Sequence, residues 1–131
     1  MWEVSEPKGT VVLSPDVASI PRELRGVSLG KQARAKHRIR WPWVEVLIDR
    51  QHKKLGLRFF DKPTPTTRRV HTSHRSQGVR VHCQHELRRL GAKPGYYPFH
   101  RETENFFVVD LANPLAPPAP RPPKQVRDDG S

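Results

Sequence analysis

Two groups of side chains in this sequence could do chemistry. The first is His71 and His74, followed by His82, Cys83 and His85. Imidazole and thiolate are zinc ligands, and a closed zinc site takes four of them in a tetrahedron. The spacing matches no paired Cys-x-x-Cys signature, and His82 and Cys83, adjacent on a strand, would point to opposite faces. No metal or cofactor is expected. Cys83 with a histidine nearby is also the pair that a thiolate nucleophile would need. The acids, however, are scattered, and no phosphate-binding loop, dinucleotide fingerprint, zinc-protease helix or serine-hydrolase elbow occurs. The expectation is a binding protein, with no catalytic residues and no small-molecule substrate.

The second group is cationic. Lys31, Arg34, Lys36, Arg38 and Arg40 run into Trp41 and Trp43, and Arg68, Arg69, Arg75, Arg80, Arg88 and Arg89 follow. Cations on phosphates release counterions, and arginine's planar fork suits phosphates or guanine edges. These lysines and arginines are the candidate nucleic-acid-binding set. The two tryptophans could stack on bases, but they read first as core residues opening a hairpin.

The charge that surrounds these residues is uneven. Lys and Arg number 24 and Asp and Glu 13, for a formal net charge of +11. Residues 22–40 hold seven of the cations against Glu23, and residues 62–90 hold seven against Glu86. Two basic blocks separated by an apolar segment suggest cationic faces on a folded body, and an anionic partner. The hydrophobic share is 34%, low for a globular chain, so a small core is expected. No apolar run is long enough to span a bilayer, and the N-terminus lacks the charged-then-apolar order of a signal peptide. A single cysteine excludes an internal disulfide, and the expected location is cytoplasmic.

Elements that could position the cations can be read from pattern. Ser14-Pro15 with Asp16 predicts a helix start, ended or interrupted by Pro21. Around the polar tip 49–53, Val44, Val46 and Ile48 alternate on one side and Leu55, Leu57 and Phe59 on the other, which predicts a β-hairpin over residues 43–60. KPTPTT reads as a linker and residues 71–77 as a loop. Val79 and Val81 alternate with Arg80 and His82 in a strand. HELRRL predicts a short helix, with Gly91 where positive φ is needed. Strands over 96–99 and 105–111 flank a polar tip at 101–104. Residues 1–26 form an N-terminal strand and helix segment, with an apolar run at 10–13. Residues 27–111 form a basic β-rich domain, and residues 112–131, with six prolines, an extended, disordered tail.

The run GVRVHCQHELRRLGAKPGYYPFHRETENFFVVDL, residues 78–111, resembles the AbrB/SpoVT-type swapped-hairpin domain. The resemblance rests on the Gly78 opening, ELRRLG, Lys93-Pro94-Gly95 and the hairpin after it. It departs at Val79, where that family carries a basic residue, and at Cys83, near the place of a proline. Residues 27–60 fit the same plan, with KQARAKHRIRW where the helix should be. In that family two units interlock in one barrel, and basic residues around the first strand and helix start meet DNA. The implied fold is α+β, two β-hairpins with short helices in a pseudo-dimeric barrel; a generic α+β arrangement is the alternative. The chain is also similar to bacterial and phage-type proteins with the pattern VEVLIDRQHKKLGLR … VVDL.

The expected function is that of a small DNA-associated transcriptional regulator. Two other classes stay open. One is a modulator that docks on an anionic protein surface, such as the RNA polymerase of the transcription machinery. The other is an RNA- or ribosome-associated protein.

Overall fold

The computed structural model describes residues 14–73 and 77–117. The apolar run at 10–13, His74, Arg75 and the tail from residue 118 lie outside the described residues. Strand dominates, in a nearly closed, barrel-like antiparallel sheet with two helices of six residues each.

The first half runs β1 (Val17–Ile20), β2 (Gly26–Leu29), α1 (Lys31–Lys36), β3 (Trp43–Asp49) and β4 (Lys54–Phe60). The second runs β5 (Thr67–Arg69), β6 (His71–Thr72), β7 (Val79–His82), α2 (Gln84–Arg89), β8 (Gly95–Thr103) and β9 (Phe106–Asp110). The order across the sheet is β5-β3-β4-β9-β8-β1-β2-β7-β6. The two outermost strands, β5 and β6, are separated in the chain only by Val70. One extended segment thus pairs with β3 at one margin and with β7 at the other. The chain itself joins the margins, which removes most of the exposed edge that an open sheet would offer.

Three sequence expectations are corrected. Residues 17–20 form a strand, although Ser14-Pro15 suggests a helix. Ser14 makes a turn instead, its carbonyl accepting the Val17 N–H at 3.2 Å. Only a few residues separate Pro15 from Pro21, too few for a stable helix, and the Val-Ala-Ser-Ile alternation finds partners on both sides, β2 and β8. His71 and Thr72 form a strand rather than a loop; nothing apolar marks them, and β7 supplies their pairing. Nor does the chain leave the body after Leu111: the Leu115 N–H donates to the Tyr96 carbonyl at 2.7 Å.

The hairpin β3–β4 pairs from Trp43↔Phe60 to Asp49↔Lys54. Its tip is held by Asp49, which accepts the backbone N–H of His52 at 3.1 Å. The hairpin β8–β9 extends further than its sequence suggests, with an irregularity between Arg101 and Thr103. After α2, Gly91 takes φ +64, as its place behind the helix requires. The hairpins meet in the core, where Leu55, Leu57, Phe59, Phe107 and Val109 are fully buried. Phe107 lies edge-on to Phe59 at 5.6 Å. Each such side chain contributes about 1.5–3 kcal/mol by leaving water.

The same order of elements thus runs twice, and pairings cross between the runs. β2 lies beside β7, and β4 beside β9. β1 lies between β2 and β8, while the β5–β6 segment lies between β3 and β7. Val27 pairs with Val81. The buried Val27, Leu29 and Ala33 stand equally far along the chain from the buried Val81, Cys83 and Leu87.

Candidate functional site

With the helices that follow them, β2 and β7 carry six Lys and Arg against one acid, Glu86. Alternation sends Val27, Leu29, Val79 and Val81 into the core and leaves Ser28, Arg80 and His82 on the outer face. The strands are antiparallel and each is followed by a helix. α1 and α2 therefore flank opposite ends of the pair.

The predicted cations divide by what holds them. Lys31, Arg38, Arg40, Arg80, Arg88 and Arg89 are exposed. Arg80 stands across from Ser28 on β2 and His71 on β6. Arg88 and Arg89 occupy the last turn of α2, where positive charge also suits the helix dipole. Arg34 is half-buried and donates to the Gln77 carbonyl at 3.4 Å. Lys36 bonds both Asp16 oxygens, at 2.9 and 3.1 Å. That contact, more than the His37 bond, holds the Asp16 carboxyl below its ordinary range against the opposing effect of desolvation. Arg69 lies over the Trp43 ring at 5.6 Å. Arg75 lies outside the described residues.

Arg68 is committed elsewhere. Its two terminal nitrogens reach Glu86 at 3.1 and 2.9 Å, and one also donates to the His82 carbonyl at 3.0 Å. Burial pushes the Glu86 carboxyl up, but the Arg68 contacts outweigh it and hold the group below its ordinary value. Trp41 stacks on Phe59 at 5.5 Å, as a core residue would.

The histidine and cysteine group separates. His71 and His82 stack at 4.3 Å between ring centres. Cys83 is buried, its thiol directed at the Val81 carbonyl. Burial, and after it the charge of Glu86, push that thiol up to about 12, so it is a poor nucleophile at neutral pH. Among the described residues no three His, Cys, Asp or Glu side chains are grouped to hold a metal ion; His74 lies outside them.

Two features escape a sequence reading. Arg25 precedes β2, and its carbonyl accepts the Cys83 N–H at 3.1 Å, which brings the first basic block to the start of α2. His37 is buried against Phe99 and Phe107, with its ring 3.0 Å from Asp16. Its place in the basic run conceals this inward position.

The chain matches no family model, no curated protein and no solved structure. No helix among the described residues is long and apolar enough to cross a membrane.

On the hairpin side, several acids have close partners. Arg58 meets Glu45 at 3.4 Å, His52 meets Asp49 at 2.9 Å and His100 meets Glu102 at 2.6 Å. Around β2 and β7, Asp16 and Glu86 are occupied by Lys36 and Arg68. Glu23 is the exposed acid beside them, and the rest of the balance is left to exposed cations.

Proposed function

We propose that this protein binds nucleic acid, duplex DNA in particular, through the face formed by β2, β7 and the two helices. The observation that supports the reading is the pairing of Asp16 with Lys36 and of Glu86 with Arg68, while Arg25, Lys31, Arg80, Arg88 and Arg89 stay exposed. Such a face binds phosphates and releases counterions with little dependence on base sequence. The resemblance to swapped-hairpin DNA-binding domains agrees with this reading. Residues 27–60 and 78–111 then act as tandem halves, so that one chain presents two related cation sets as a dimer would.

The test is binding of a labelled duplex, followed by anisotropy across a salt series, with a structured RNA as competitor. Duplex binding should weaken steeply with salt, and reversing the charge of Arg88 and Arg89 together with Arg80 should abolish it. Salt-insensitive binding, or a triple variant that binds like the wild type, would overturn the proposal. Preference for the RNA would move the function to the RNA-associated class.

A second reading, docking on a protein such as RNA polymerase, is favoured by β3. Its pairing with β5 covers only Trp43 to Glu45. Val46 to Ile48 and Pro65 to Thr67 line a groove beside it, where an extended segment could add as a strand. A stoichiometric protein retained by the tagged chain after nuclease treatment would support this reading over the first.

A further inference from the structure

His82 stands where several elements converge at the end of β7. Its partner on β2 is Gly26, which puts no side chain beside the imidazole. His71 covers one face of the ring. The Arg25 carbonyl bonds the Cys83 N–H, which fixes that turn beside α2. The resulting cleft is lined by Arg25, Arg68, His82, Gln84, His85 and Glu86. Its carboxylate, Glu86, is occupied by Arg68 through both oxygens. What remains is the Arg25 guanidinium, with no bonding partner among the described residues, two imidazoles and an amide. That is a donor set for a tetrahedral anion with several acceptor oxygens.

We propose that this cleft seats a phosphoryl anion, held by Arg25, His82 and His85. As a backbone phosphate, the occupant rests on the nucleic-acid reading above; as free phosphate, the seat stands without it. The seat is linked to protons. Burial first, then electrostatic repulsion from His71, Arg80 and Arg25, hold the His82 ring below its ordinary value. The other charged groups facing it are Arg68 on β5 and His85 and Glu86 on α2. A phosphoryl anion offsets the repulsion, so the ring gains a proton as the ligand enters. Binding then tightens as pH falls through the histidine range.

The test is a nuclear magnetic resonance titration of the histidine ring protons in the full chain, at constant ionic strength. Inorganic phosphate is added in one arm and a short DNA duplex in the other. Phosphate should raise the His82 midpoint by about one pH unit. Arg25→Gln should remove the response, while Arg50→Gln, at the exposed hairpin tip, should keep it. A rise with both ligands supports a seat for backbone phosphate. A rise with phosphate from a chain that does not bind duplex supports the seat and overturns the nucleic-acid reading. Duplex binding with His82 unmoved by either ligand overturns the seat alone, as does an undiminished response in Arg25→Gln.

Discussion

Arg68 grips Glu86 with both terminal nitrogens of its guanidinium, at 3.1 and 2.9 Å, and so ties β5 to the first turn of α2. The pair is partly exposed, its side chains retaining 37% and 16% of their accessible surface. Solvent screening therefore keeps the bidentate contact to about 1 kcal/mol. Arg68→Gln should lower stability to urea by about that amount near neutral pH. The Glu86 carboxyl is depressed below its ordinary value of 4.5, so its contribution is present above that value. It is lost as pH falls through the depressed one. Arg68→Gln should lose less stability than the wild type over this acid window, and equal acid losses would contradict the assignment.

Free and committed cations should separate in binding. Arg80→Ala, which removes an exposed guanidinium from β7, should weaken duplex binding and reduce the slope of log affinity against log salt by about one. Arg58→Gln, which removes a guanidinium committed to Glu45 on the hairpin side, should leave that slope nearly unchanged. The salt series distinguishes them, and equal slopes in the two variants would move the contact face away from β7.

Gly26 has no room for a side chain against β7. A Cβ there would collide with the Val81 carbonyl oxygen and lie 2.9 Å from its carbon. Neither can move without opening the strand pair. Gly26→Ala should cost about 3 kcal/mol. Gly91→Ala has open space but φ +64, and should cost about 1–2 kcal/mol from backbone strain alone. Urea unfolding of both variants checks the order.

Cys83 should be silent toward thiol reagents in the native protein. Its thiol is buried and pushed up to about 12. Labelling at mildly alkaline pH should follow unfolding of the chain, and accelerate with denaturant as unfolding does. Rapid labelling of the folded protein would show that the β7–α2 junction opens locally.

The parts legible in the sequence are those whose signals are local. Val44, Val46 and Ile48 face Leu55, Leu57 and Phe59 around a polar tip, and this alternation alone specifies a hairpin. Leu90-Gly91 likewise marks the end of α2. β1 was obscured because Ser-Pro-Asp serves a turn as well as a helix cap, and the decision lay with strands distant in sequence. His71 and Thr72 have no strand signature at all. The basic blocks show in composition, but which cations remain free depends on Asp16 and Glu86. Those acids reach Lys36 and Arg68 only through the fold.

The crossing of the two runs has a consequence for how the protein is made. β1 waits for β8, β2 for β7, β3 for β5 and β4 for β9. As the chain emerges during synthesis, its first half has apolar strands but few neighbours of its own to cover them. The sheet can close only after residues 95–110 have left the ribosome, so closure comes late in synthesis. A cut in the linker at residues 61–66 would leave two fragments, neither with a core of its own. They would have to find each other by diffusion, and refolding would become dependent on protein concentration.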